Sequence, residues 1–131
     1  MSSSAEYVLD STALIALLQW EPGYQRVAEL LDRSVVSAVN LAEIVNKLVE
    51  RGATGETAKQ SLVQLELTVT DWSEDMAYGS AEFTRFNKSH GLSLGDRACL
   101  ALAKQLHATA VTSDRTWRRM PSLGVRVMIF R

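Results

Sequence analysis

Five short apolar runs, each separated from the next by helical periodicity, leave this 131-residue chain few architectures to choose from. Tyr7-Val-Leu, Ser34 to Ala38, Leu67 to Thr70, Thr109 to Thr112 and Val125 to Ile129 read as strands. Between them, Leu41, Ile44, Val45, Leu48 and Val49 recur at the i, i+3, i+4, i+7, i+8 spacing of an amphipathic helix. Gly52 follows where a C-terminal glycine would end it. Gly55 to Leu65 reads as a further helix, Met76, Phe83 and Phe86 mark one face of a helix from about Glu74 to Lys88, and an alanine- and leucine-rich helix ends near Leu106. Glu21-Pro-Gly-Tyr breaks the helix that starts after Asp10, and Val27, Leu30 and Leu31 begin a second. The order β-α-α-β-α-α-β-α-α-β-α-β predicts a three-layer α/β/α fold, with a central parallel sheet of about five strands and helices on both faces.

No repeat, low-complexity tract or linker divides the chain, so residues 6–131 read as one domain and residues 1–5 as a loose polar tail. With 47% hydrophobic and 22% charged residues, the composition is that of a globular protein rather than a disordered one. No apolar run approaches the roughly 18 residues a membrane helix requires. The single cysteine, Cys99, cannot form an internal disulfide, which makes a reducing cytoplasm the expected compartment. A net charge of −1 gives no argument for a polyanionic partner. The distribution is less neutral: Arg115, Arg118, Arg119, Arg126 and Arg131 lie in a segment without an acid. Such a basic surface would suit a phosphodiester, and scattered solubilising arginines are the plainer alternative.

Four carboxylates, Asp10, Glu43, Asp96 and Asp114, each stand where a strand gives way to a helix or where a helix begins. A parallel α/β sheet gathers such positions along one edge. Two like charges about 4 Å apart repel by roughly 4 kcal/mol at an effective dielectric of 20, so a cluster of acids calls for a cation. Each acid also has a structural reading. Asn40-Leu-Ala-Glu43 and Ser93-Leu-Gly-Asp96 fit capping boxes, and Asp10 and Asp114 fit N-caps. Ser11, Thr112 and Ser113 lie beside the acids and would orient ligands or water. Oxygen ligands suit Mg²⁺ or Mn²⁺, whereas neither His90 nor His107 has a partner at zinc-ligand spacing.

Val8-Leu-Asp10-Ser-Thr-Ala-Leu-Ile, Ser37-Ala-Val-Asn-Leu-Ala-Glu43, Leu92-Ser-Leu-Gly-Asp96-Arg-Ala-Cys and Val111-Thr-Ser-Asp114 together resemble the PIN-domain family. The nearest branch is the VapC-type ribonuclease toxins of bacterial toxin–antitoxin pairs. The likeness runs from about Tyr7 to Phe130. It implies a Mg²⁺- or Mn²⁺-dependent endoribonuclease leaving 5′-phosphate and 3′-hydroxyl ends, usually a homodimer neutralised by a cognate VapB-type antitoxin. Asp10, Glu43, Asp96 and Asp114 match the family's acidic quartet. Asn40 stands where a serine or threonine is common.

On this reading Asp10, Asp96 and Asp114 would hold the metal, and Glu43 would complete the site or orient the attacking water. Arg97, Arg115, Arg118 and Arg119 are candidates for gripping RNA phosphates. Trp117 would stack on a base or fill a gap beside the last strand. Trp20, Leu14, Leu17, Leu18, Val27, Leu30 and Leu31 would form partner contacts or be buried in the protomer. Two other classes compete. A receiver-like phosphoacceptor domain would want adjacent acids near the first strand and a lysine after the fifth, and neither is present. A non-catalytic PIN-like scaffold would bind RNA or protein without cleaving.

Overall fold

Strands β1 (Tyr7–Leu9), β2 (Ser34–Ser37), β3 (Thr68–Thr70), β4 (Thr109–Thr112) and β5 (Arg126–Ile129) form one sheet, ordered β3-β2-β1-β4-β5 and parallel throughout. The structure is a computed structural model and describes residues 5–120 and 122–131. Successive strand residues face opposite sides of the sheet. Val8, Val35 and Ala110 enter one core, and their neighbours Leu9, Val36 and Val111 enter the other. The first core is closed by α5 (Glu74–Gly79), a 3-10 segment (Ser80–Phe86), α6 (Asn87–His90) and α7 (Leu94–Leu106), through Met76, Phe83, Phe86 and Leu100. The second is closed by α1 (Ser11–Gln19), α2 (Tyr24–Leu30), α3 (Ala38–Glu50) and α4 (Gly55–Val63), through Leu14, Val27, Ile44 and Leu62. Continuous burial on both faces explains why the inner strands carry unbroken apolar runs rather than alternating ones.

The predicted three-layer architecture is therefore present, with three local differences. Ala38 starts α3 instead of ending β2, because Ser37 already caps the helix by accepting from Val39 N at 3.2 Å. The single helix expected over Glu74 to Lys88 is instead helix, 3-10 segment and helix. In its middle the buried residues Ser80, Phe83 and Phe86 recur every three positions, which a 3-10 geometry aligns on one face. Ser80 and Thr84 hydroxyls support it by donating to the carbonyls three residues back, at 2.8 and 2.7 Å. Finally, the early hairpin keeps most of its apolar surface for itself: Leu14, Leu17, Val27 and Leu30 are buried, while Trp20 stays 76% exposed.

Trp117 is buried and fills the gap beside β5. Of the predicted tail, residues 1–4 lie outside the described residues, and Ala5 packs against the first core. No described helix is long and apolar enough to cross a membrane.

Candidate metal centre

All five strands end on the same edge of the sheet, and the register brings the end of β1 level with the end of β4. Leu9 pairs with Val111, and Asp10 N donates to the Val111 carbonyl at 3.1 Å. The chain then turns directly into α1, with Asp10 as its N-cap: Oδ1 accepts from Ala13 N at 3.0 Å and from Thr12 Oγ1 at 2.6 Å. Asp114 repeats the device after β4. Its Oδ1 accepts from Thr116 N at 3.0 Å and Thr116 Oγ1 at 2.7 Å, capping the 3-10 segment Arg115–Arg119. Asp96 sits in the first turn of α7 in a capping box, its Oδ2 accepting from Ser93 N at 2.9 Å while Asp96 N donates to Ser93 Oγ at 3.2 Å.

Glu43 differs from the other three. The expected Asn40–Glu43 capping box is absent, because the N-cap of α3 is Ser37 and Asn40 lies inside the helix. Both side chains are free to face α7 instead. Glu43 Oε1 accepts from Ser11 Oγ and from Asn40 Nδ2 (3.2 Å), and Asn40 Nδ2 also donates to Ser11 Oγ and the Gly95 carbonyl, each at 3.1 Å. A side chain at Gly95 would overlap the Glu43 carboxylate, so only glycine lets α7 approach this closely.

In three of the acids one oxygen takes all these bonds. Among the described residues, Asp96 Oδ1, Asp114 Oδ2 and Glu43 Oε2 receive no protein donor. Capping and ligand binding are therefore compatible, each using a different oxygen of the same carboxylate. Charge on neighbouring acids also acts on Asp10 and Asp96. Asp10 is 2% exposed, and its pKa is pushed up to about 6, chiefly by burial, against the bonds from Thr112, Thr12 and Ala13 N and with a further push from Asp96. Asp96, half-buried, is raised first by desolvation, against its bonds to Ser93, and then by the charges of Glu43 and Asp114. Beneath them, the buried thiol of Cys99 is pushed well up, first by burial and then by Asp10, Asp96 and Glu43. The ion pairs Arg33–Glu6, Lys104–Glu82 and Arg131–Glu21 involve none of these four acids.

Among the described residues, no group of three or more Asp, Glu, His or Cys side chains closes around a single point. The donor set nevertheless fits a hard cation that keeps much of its water and takes one or two carboxylates directly, as Mg²⁺ does. Asn40 adds to the fit, because it is 1% exposed and its Oδ1 has no hydrogen-bond partner among the described residues. A buried acceptor without a donor is the kind of group that a cation's water shell satisfies.

The other predicted residues divide. Thr112 is fully buried, supports Asp10 and accepts from Asp114 N at 3.0 Å, which ties two of the acids together. Ser113 contributes its backbone N–H, donated to Thr12 Oγ1 at 3.0 Å. Arg97 is turned away from the acids, donating to Asn87 Oδ1 (3.0 Å) and the Leu92 carbonyl (3.1 Å). Arg115, Arg118 and Arg119 are exposed and line a cleft next to the acidic edge. Sequence reasoning missed Thr12, Thr116 and the part played by Gly95. A signal for the first two was present, since Asp10-Ser-Thr12 and Asp114-Arg-Thr116 repeat one Asp-x-Thr pattern at two strand ends.

The family pattern described as PIN domain matches residues 7–123. No curated protein matches the chain. Among solved structures, the chain is similar to VapBC2 of Rickettsia felis bound to promoter DNA (21% identity, 93% of this chain and 96% of that chain, TM-score 0.71). It is also similar to FitAcB of Neisseria gonorrhoeae (24%, 93% and 96%, 0.66). A third is VapBC-5 of Mycobacterium tuberculosis, a member of the VapBC family of toxin–antitoxin systems (24%, 95% and 98%, 0.60). At these identities the likeness is one of fold.

Proposed function

This chain belongs to the PIN-domain family, and on that premise we propose that it is a metal-dependent endoribonuclease, the toxin of a toxin–antitoxin pair. The observation that carries the reading is the position of Asp96, within electrostatic reach of Asp10, Glu43 and Asp114, while the ion pairs of Arg33, Lys104 and Arg131 all go to other acids. Asp10, Asp96 and Asp114 would hold Mg²⁺ or Mn²⁺, directly or through water. When bound there, such an ion polarises the phosphoryl group and lowers the pKa of the attacking water.

The chain's own groups account for the rest. Asp10 and Asp114 are fixed by their threonines and by the linking Thr112 hydroxyl, so the bridging phosphate meets a preorganised edge. Glu43 is held by Ser11 and Asn40 through one oxygen, and its other oxygen would orient the water and accept its proton. Water attacks phosphorus, the bond to the 3′-oxygen breaks, that oxygen takes up a proton from solvent, and the fragments carry 5′-phosphate and 3′-hydroxyl ends.

The partners follow from the same reading. Structures of this fold include toxin–antitoxin complexes, so a VapB-type antitoxin is the proposed inhibitor and a homodimer the proposed assembly. The cytoplasm is the proposed compartment. The competing scaffold role draws support from the caps, since three of the four acids would be needed for structure alone.

Incubating the purified protein with total RNA separates the two. The nuclease reading expects cleavage with Mn²⁺ or Mg²⁺, loss of cleavage with EDTA, and new 5′ ends that a 5′-phosphate-dependent exonuclease digests. Intact RNA under every metal condition, or 2′,3′-cyclic phosphate ends, would contradict it. Light scattering of the same sample reads the assembly state.

A further inference from the structure

Beyond the last strand the charge changes sign. Arg26, Arg115, Arg118, Arg119 and Arg131 come from three separate segments and line one cleft of about 480 Å³. Two contacts assemble it. Gly23, at φ +88°, lies so close to the Phe130 carbonyl that no side chain would fit, and this seats the start of α2, with Arg26, on the end of β5. Arg115 Nε donates to the Arg131 carbonyl at 3.4 Å, which joins the 3-10 segment to the same strand end.

Among the described residues, Arg131 alone of these five has a side-chain carboxylate partner: its Nη1 donates to Glu21 Oε1 at 3.0 Å. Among the described residues, the side chains of Arg26, Arg118 and Arg119 make no ion pair or hydrogen bond. Five guanidinium groups around one carboxylate repel one another, and their planar forks match phosphate oxygens. Position adds direction, because Arg115 follows Asp114 immediately. At about 2 Å per residue along a 3-10 segment, Arg118 lies roughly 6 Å beyond Arg115.

We infer that this cleft holds the sugar-phosphate backbone of a single RNA strand, to one side of the bond presented to the acids. The inference rests on the ribonuclease reading, and it adds Arg26 and Arg131 to the site. It also bears on the kind of recognition. Among the described residues no exposed aromatic lines the cleft, and Trp117 of the same segment is buried in the first core, so no aromatic face is offered there on which bases stack. Binding through the cleft is thus backbone binding, indifferent to sequence and steeply salt-dependent.

The test is fluorescence anisotropy of a labelled 12-nucleotide mixed-sequence RNA in EDTA, where binding is read without cleavage. It compares the wild type with the triple variant Arg26→Gln/Arg118→Gln/Arg119→Gln, whose thermal unfolding checks the fold. The variant is expected to bind at least about 10-fold more weakly at 100 mM salt. Its log affinity against log salt should be shallower by about 2, at roughly 0.7 per lost phosphate contact. A permuted RNA sequence should give the same result. Unchanged affinity and slope would overturn the inference, as would loss of binding to poly-glutamate with RNA binding retained, which would mark the cleft as a contact for an acidic protein. Cleavage assayed with Mn²⁺ in parallel keeps the two readings apart. An RNA-binding cleft in a protein that never cleaves defeats the nuclease reading alone, and cleavage with an unaltered triple variant defeats the cleft alone.

Discussion

The two edges of the sheet treat charge in opposite ways. Where the strands begin, basic side chains have partners: Arg33 meets Glu6 at 3.3 Å, and Arg126 donates to the neutral His107 carbonyl at 3.0 Å and Thr109 Oγ1 at 3.4 Å. Where they end, Asp96 lies within electrostatic reach of Asp10, Glu43 and Asp114, and the pKa values of Asp10 and Asp96 are both raised, chiefly by burial. The same backbone therefore carries an edge arranged for stability and an edge that works against it. Crowded, unpaired acids lower the stability of the protein, and the proposed Mg²⁺ or Mn²⁺ would reverse that.

Asp10→Asn should break the contrast most completely. Cleavage should fall by roughly 10³-fold, equivalent to about 4 kcal/mol of transition-state stabilisation. The metal-free variant should at the same time gain stability at neutral pH, since asparagine can still accept from Ala13 N and Thr12 without a buried charge. The pH dependence has a definite sign. Because the folded pKa of about 6 lies above the ordinary 3.8, the folded state binds the proton more tightly, and wild-type stability falls as pH rises from 4 to 6. At about 1.4 kcal/mol per pH unit the gain in the variant approaches 3 kcal/mol above pH 7 and vanishes below pH 4, which urea unfolding at both values would check.

Gly95→Ala separates function from stability. Its methyl group must displace the Glu43 carboxylate, so cleavage should drop on the order of 10- to 100-fold, as for disturbed outer contacts of a metal site. Unfolding free energy should hardly change, because the gain in helix propensity of about 1 kcal/mol offsets the crowding. Thr12→Val removes one bond to Asp10 and one from Ser113 N, and should cost about 1–2 kcal/mol in the same urea assay. Glu6→Gln at the paired edge is the smallest effect. That ion pair is about half exposed, so stability should move by under about 1 kcal/mol and cleavage not at all.

Much of this was legible in the chain. Val8, Val36 and Val111 lie in strands buried on both faces, and their apolar runs announce it. Three of the four acids also announce themselves as caps, through Asp10-Ser-Thr12, Ser93-Leu-Gly-Asp96 and Asp114-Arg-Thr116. Glu43 was misread locally because the real cap, Ser37, is the last residue of a strand, and only the packing of α3 against α7 turns Asn40 and Glu43 inward. The segment over Ser80 to Phe86 differs for a related reason, since the three-residue spacing of Phe83 and Phe86 fits either helix type until a neighbour selects one. Arg26 and Arg131 share a cleft because of a loop closure at Gly23, which no local pattern encodes.

Direct titration of Mn²⁺ into the purified protein, followed by the loss of the free-ion electron paramagnetic resonance signal, addresses the acidic edge without waiting for an RNA substrate. Saturable binding that is lost in folded Asp10→Asn and retained in Glu6→Gln is the predicted result. No saturable binding, or equal binding by wild type and Asp10→Asn, would contradict the account.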